Sequence, residues 1–325
     1  MKGYVPLSLL IFLATSAALL TGQVDASPGV LWSGLVTGEG PGALILDTIR
    51  GPRVATALGA GAVLGMSGAL FQMLFRNPLA SPDILGFNAG AGLAIIAGIA
   101  FGIAMPTAVM AALGGVAMAL VIGGLAFRGG GGTPVLTIIL IGIGAGFTAT
   151  AVSTFLMTIL PGTTASEAQR WLTGSLAARD WSHAAQVLGI GAMLASLALR
   201  QARILSALEL GDGLAAGLGQ RPEAARWWLS ATGVLLAATG VAVAGPVPFV
   251  ALMAGPLGMR LTGARTSAGR MVSGAGAGAL LLVLSDLLAR VAVPGLQLPA
   301  GVATGLLGAP YLLWRLSREM ERGDL

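Results

Sequence analysis

The chain has 325 residues, of which 55% are hydrophobic and only 10% charged, far below the roughly 25% charge of an ordinary soluble domain. It has no cysteine and a single histidine. These counts leave no disulfide framework, no thiolate metal site and no material for a histidine-based acid/base centre. The formal charge of +5 comes almost wholly from arginines scattered between apolar runs, with no basic stripe interleaved with aromatics, so a nucleic-acid surface is not expected.

Uncharged stretches cover 3–24, 54–75, 84–127, 129–166, 181–199, 227–259 and 291–314, and several could cross a bilayer at ~20 residues per span. The first, after Lys2, is longer than the apolar part of a signal peptide and is expected to stay as a helix. The run beginning at Ile84 contains Pro106, which splits it into two spans. Val135 to Leu160 supplies the next, followed by a segment from Gly162 to Ser182 too charged for lipid. Trp227 to Ala244 reads as a full span. Gly245-Pro246-Val247-Pro248 is too broken for a regular helix and too apolar for a free loop, so a short half-span is expected from Phe249 to Met259. A glycine-rich helix from Met271 to Arg290 and a last span from Pro299 to Leu316 bring the total to ten.

Alternating sides from a cytoplasmic N-terminus puts five basic residues (Arg50, Arg53, Arg170, Arg179 and Arg290) outside and the other thirteen of the eighteen inside, as the positive-inside rule requires. Both termini are then expected to be cytoplasmic, and the short mixed-charge tail from Arg315 to Leu325 is not expected to append a soluble domain. Glycines recur four apart at Gly61/Gly65, Gly142/Gly146 and Gly274/Gly278, a spacing that lets helices approach closely in lipid.

Three places stand out as functional candidates. The predicted cytoplasmic segment 204–219 reads as two short helices around Gly211, and Leu205, Leu208, Leu210, Leu214 and Leu218 make it too apolar for a solvated loop, which points to a covering protein. Arg50, Arg53 and Arg290 run against the usual orientation bias and ask for a partner, a lipid phosphate or an acidic substrate, interfacial snorkelling being the plainer reading. Asp286, four before Arg290, most simply forms a local ion pair with it. A phosphate-binding Walker loop needs a lysine, and the only one is Lys2, so any nucleotide must be bound by another chain.

The ordered fragments Arg50-Gly51-Pro52-Arg53, Arg76-Asn77-Pro78-Leu79-Ala80-Ser81-Pro82-Asp83, Trp171-Leu172-Thr173-Gly174-Ser175-Leu176, Leu208-Glu209-Leu210-Gly211 with Leu218-Gly219, Gly245-Pro246 with Phe249-Val250, and Leu298-Pro299-Ala300-Gly301 resemble the iron-siderophore and vitamin B12 class of ABC importer permeases. The combination of Asn77-Pro78-Leu79, Ser81-Pro82-Asp83 and Gly86-Phe87-Asn88 with Trp171 to Leu176 most resembles the second permease of ferric-enterobactin importers, a framework that haem, cobalamin and hydroxamate permeases share. The resemblance implies an all-α polytopic membrane protein of the type II ABC importer permease fold, one permease domain over 1–325, in a bacterial inner membrane. It implies a second permease subunit (a heterodimer favoured, a homodimer possible), two cytoplasmic ATPases that hold ATP and Mg, a periplasmic siderophore-binding protein, and no cofactor or catalytic residue on this chain. By that likeness Arg50, Arg53 and Arg290 dock the binding protein. Leu205, Leu208, Glu209, Leu210, Gly211, Leu214, Leu218 and Gly219 form a coupling-helix pair on the ATPase. Arg76, Asn77 and Pro78 mark a cytoplasmic loop motif, 129–134 lies near the cytoplasmic gate, and the fifth and tenth spans line the path. The sequence departs from the pattern at Gly255-Pro256 and Met259-Arg260, where such permeases carry Pro-His followed by arginine. An ion-coupled secondary transporter is the competing reading; it should show polar centres at mid-membrane.

Overall fold

The computed structural model describes residues 3–22, 26–126, 135–293 and 296–322. It is all-helical among these residues, with α1 Tyr4–Leu20, α2 Pro28–Thr37, α3 Gly40–Leu44, a π-helical turn Ile45–Ile49, α4 Gly51–Leu74, α5 Phe87–Ala100, α6 Thr107–Ala126, α7 Val135–Thr158, α8 Gly162–Leu172, α9 Trp181–Arg200, α10 Ala202–Glu209, α11 Asp212–Gly217, α12 Pro222–Ala244, α13 Val250–Thr262, α14 Ser267–Val291 and α15 Ala300–Arg322. Among the described residues six stretches, against the ten spans expected, are long and apolar enough to cross a membrane: Gly40–Leu74, Thr107–Ala126, Thr137–Thr158, Trp181–Arg200, Pro222–Ala244 and Ser267–Val291. The apolar helices α1 and α5 are shorter. The anticipated loop at 129–134 lies outside the described residues.

The centre of the bundle is α4, in which only Gly51, Ala55, Leu58 and Ala62 are not fully buried. It packs on α9, α12, α13 and α14. Around this centre α6, α7 and α9 turn large apolar side chains outward, including Leu120, Phe147, Phe155 and Met193, as expected where lipid or another apolar surface replaces water. The glycine spacing has a direct structural cause. A Cβ on Gly61, Gly65, Gly274 or Gly278 would overlap the backbone of the opposing helix, so α4 and α14 meet main chain to main chain. Gly142 and Gly146 play the same part for α7 against Leu85 and Gly86.

The two breaks foreseen from prolines are present, at 101–106 and at 245–249. In the second, Gly245 and Phe249 both take left-handed backbone, with φ of 72° and 65°, and the chain restarts as α13. This helix runs through Pro256 for 13 residues, so the departure at Gly255-Pro256 does not interrupt it. The charged segment after Leu160 is itself largely helical, as α8.

Candidate functional site

The residues singled out by pattern assemble at opposite ends of the bundle. At the end that sequence analysis assigns to the outside, α1 stops and leaves four carbonyls without helical partners, as every helix end does. All four are met. Ala17 O accepts from Thr21 N at 2.8 Å, and Ala18 O from Arg290 Nη2 at 3.0 Å. Leu19 O and Leu20 O accept from Arg50 Nη1 at 2.8 and 2.9 Å. Placing guanidinium groups there also suits the negative end of the helix dipole.

Arg53, in the first turn of α4, points at Asp286 in α14. Its Nε lies 3.0 Å from both carboxylate oxygens and its Nη2 2.8 Å from Oδ1. Arg290 Nε adds an ion pair to Oδ2 at 3.3 Å. Asp286, Arg50, Arg53 and Arg290 are all buried. The local Asp286–Arg290 pair is thus present, but the main partner of Asp286 is Arg53. Among the described residues, Asp286 is the carboxylate bound by this cluster, shared by Arg53 and Arg290.

Beside this cluster, three of the quoted fragments converge. Gly174, with φ 74°, lies against Pro246 O, and Gly245 lies against Trp171 O, so neither site has room for a side chain. Gly301 N then donates to Gly174 O at 2.9 Å, which fixes the start of α15. The end of α8, the break after α12 and the start of α15 therefore form one knot.

At the opposite end, α10 and α11 form the expected short pair, turning at Gly211 with φ 102°. The structure divides the five leucines. Leu205 and Leu208 are 0% and 3% exposed, covered by the chain's own core, which corrects the expectation that a partner covers them. Leu210, Leu214 and Leu218 are 59%, 62% and 63% exposed and form the free apolar face. Glu209 points inward: Oε1 meets Arg270 Nη1 at 2.5 Å and Oε2 accepts from Ser267 Oγ at 2.8 Å. A further pair, Arg226 with Asp212, ties α11 to α12.

The Arg76–Pro78 loop sits against this pair. Arg76 adopts φ 50°, and its Nη1 approaches Gly211. Asn77 Oδ1 accepts from Leu79 N at 2.8 Å in a tight side-chain turn. Gln72 Nε2 donates to Pro78 O at 3.0 Å and to Leu252 O at 2.9 Å, stitching the loop to α4 and α13. Gln72 was missed in the sequence, although a lone amide in an otherwise apolar span is a signal in itself. Asp83 stands in one of the fragments that carry the resemblance, but nothing in the sequence gives it a role. Its carboxylate bonds Asn88 Nδ2, while its Oδ2 is sealed from solvent without a partner. Desolvation pushes its pKa up to about 7, against a backbone hydrogen bond from Phe249 that pulls it down.

Among the described residues no group of three or more His, Cys, Asp or Glu side chains could hold a metal ion. What the two ends offer is a buried cationic cluster on one side and an exposed leucine face on the other, joined by helices in backbone contact.

The family model of the FecCD transport family matches residues 8–318. The chain belongs to this family. It is 36% identical over 321 residues to the Fe(3+) dicitrate transport system permease protein FecD of Escherichia coli, covering 96% of this chain and 99% of that one. It is equally 36% identical over 311 residues to the ferric enterobactin permease FepG of the same organism, covering 94% and 92%. Among solved structures, a metal-chelate type ABC transporter in an inward-facing conformation aligns with a TM-score of 0.81 at 25% identity, over 97% of this chain and 98% of that chain. PsaBC from Streptococcus pneumoniae aligns at 0.63 with 17% identity, over 88% and 94%, a likeness of fold alone. The chain is therefore an all-α polytopic membrane protein of the ABC-importer permease fold, and like other members of the family it spans the membrane several times.

Proposed function

We propose that this chain is a permease subunit of an ATP-driven importer that carries a ferric siderophore across a bacterial inner membrane. The observation that carries the reading is the match to ferric dicitrate and ferric enterobactin permeases over nearly the full length of both chains. Equal identity to the two gives no preference between a citrate and a catecholate chelate; the Asn77-Pro78-Leu79 and Trp171 to Leu176 fragments favour the enterobactin-like cargo.

In this reading α1, α4, α5, α6, α7, α9, α12, α13, α14 and α15 are the ten spans of a type II permease, with both termini cytoplasmic. The positive-inside count supports that orientation. A second permease, a related chain by preference, packs on the outward face of α7, where Leu140, Phe147, Phe155 and Ile159 are exposed, and α7 and α15 line the path. Two ATPases carrying ATP and Mg seat against Leu210, Leu214 and Leu218. Glu209, Leu205, Leu208, Gly211 and Gly219 set the shape of that face, and Arg76, Asn77 and Pro78 buttress its turn. On the outside, Arg50, Arg53 and Arg290 mark the end of the bundle that meets an acidic lobe of the periplasmic binding protein. ATP binding draws the ATPases together and shifts α10 and α11, and hydrolysis resets them. This chain makes and breaks no bond.

The test is uptake into proteoliposomes that contain the chain with its partner subunits, loaded with ATP and offered radio-iron as ferric enterobactin, ferric dicitrate or a ferric hydroxamate, with cobalamin in parallel. ATP-dependent accumulation of a ferric chelate is expected. Accumulation driven by an ion gradient without ATP, or of cobalamin alone, would overturn the reading.

A further inference from the structure

The segment between α1 and α4 belongs to neither face described above. Both of its ends are tied to one atom: Ala26 N donates to Leu20 O at 2.9 Å, and Arg50 Nη1 reaches the same oxygen at 2.9 Å. The chain between them therefore leaves the end of α1 and returns to it. Within that excursion α2 and α3 fold back on each other so closely that a Cβ on Gly34 would overlap the backbone of Gly42 and Ala43. Ser27 caps α2 at its start and Gly38, at φ 68°, ends it.

This packing uses one side of α2 and frees the other. Trp32, Leu35 and Val36, at i, i+3 and i+4, form one helical stripe and are 67%, 66% and 66% exposed. Leu44 and Ile49 extend the apolar surface. No charged residue occurs from Ala26 to Gly38, and the hydroxyls of Ser33 and Thr37 on α2 donate to its own backbone, to Val30 O at 2.9 Å and Ser33 O at 2.8 Å. At ten residues α2 is ~15 Å long, which keeps it near the bilayer boundary where α1 ends. The bundle surface on either side is also apolar. The π turn is fixed to α1 through Arg50 and to α9 through Trp181 Nε1, which donates to Asp47 O at 2.8 Å. Both α1, at Leu9 and Phe12, and α9, at Leu188 and Met193, turn apolar side chains outward.

We propose that the α2–α3 hairpin is a lipid anchor: Trp32, Leu35 and Val36 lie among phospholipid acyl chains just below the headgroups, with the axis of α2 along the membrane plane. A tryptophan in such a stripe suits that depth, and an interfacial helix buries its apolar face ~5–10 Å. The inference goes beyond the transport reading and borrows from it only that the chain spans a bilayer.

The absence of cysteine makes the test direct. Leu35→Cys, Val36→Cys and, at the exposed tip, Glu39→Cys are each labelled with an environment-sensitive fluorophore and reconstituted in phosphatidylcholine nanodiscs, with a spin-label quencher at carbon 5 of the acyl chain or with aqueous iodide. The labels at 35 and 36 are expected to be quenched by the lipid-borne probe and to resist iodide by ~5-fold or more relative to the label at 39, as a depth of ~5–10 Å requires. Iodide quenching equal at all three positions, or protection at 35 and 36 that appears only on adding a second permease or a binding protein, overturns the proposal. Labelling of Glu39→Cys by an impermeant maleimide on intact spheroplasts reads the orientation separately. A negative result there would reverse the outer assignment and leave the lipid contact standing.

Discussion

Arg53 and Asp286 lie 233 positions apart in the chain and meet through three hydrogen bonds, all at 2.8–3.0 Å. Removing one member of a buried pair strands the other, which costs about 3–5 kcal/mol. The stranded charge differs between the two halves. Asp286→Ala leaves Arg53 and Arg290 both without a counter-ion, whereas Arg53→Ala leaves Asp286 with Arg290. Thermal unfolding of the purified protein should therefore show Asp286→Ala as the more damaging change, with the double variant Arg53→Met/Asp286→Leu recovering a good part of the loss. Equal, negligible effects of both single changes would contradict the pairing.

The leucines of α10 and α11 should separate cleanly by burial. Leu205→Ala removes a fully covered side chain and should cost about 2–5 kcal/mol of stability. Leu214→Ser and Leu218→Ser act on exposed positions and should stay within about 0.5 kcal/mol, yet release the ATPases in a co-purification assay. If Leu214→Ser retains the ATPases as well as the parent does, the exposed face is not where they bind.

Two kinds of glycine are present and should respond differently. Gly65→Ala and Gly278→Ala force apart α4 and α14, and overpacking of this kind costs about 1–3 kcal/mol or more. Gly144→Ala and Gly305→Ala enter open space on α7 and α15 and should be silent or slightly stabilising, since alanine favours helix by about 1 kcal/mol. Monodispersity in detergent and the unfolding midpoint read both.

Asp83 gives a pH signature of defined sign. Its pKa rises on folding from 3.8 to about 7, so between those values the folded protein holds a proton that the unfolded chain has released. Stability should then fall as pH rises through this window and level off above it, by about 2–4 kcal/mol in all. Asp83→Asn should flatten that part of the profile and be the more stable form at pH 8. A wild-type profile with no decline between pH 4 and 7 beyond that of the variant would remove the basis for this assignment.

What the sequence made readable is what local chemistry dictates. Pro106 and Pro248 mark the breaks because proline cannot donate to a helix, and glycines four apart mark the seam because only hydrogen fits between α4 and α14. The Arg53–Asp286 pair was invisible because nothing near either residue names a partner that distant, and the local i,i+4 spacing to Arg290 offered a sufficient explanation. Five leucines in a short segment likewise say that some surface is covered without saying by what. Burial of Leu205 and Leu208 by the chain itself follows from where α10 folds back, which periodicity does not encode. The hairpin of α2 and α3 is not signalled because the one apolar set on α2, Trp32, Leu35 and Val36, ends at Gly38 before it can repeat.

Helix α14 touches both ends of the molecule. Ser267 and Arg270 hold Glu209 of α10 at one end, and Asp286 holds Arg53 of α4 at the other. Its 25 residues measure ~37 Å, and the seam with α4 has no side chains along Gly61, Gly65, Gly274 and Gly278 that could rearrange to absorb a displacement. The two helices thus behave mechanically as a single beam. A tilt imposed where α10 is gripped would reappear, with lever-arm geometry rather than a relay of rotamers, at the carbonyls of Ala18, Leu19 and Leu20 that the arginines hold.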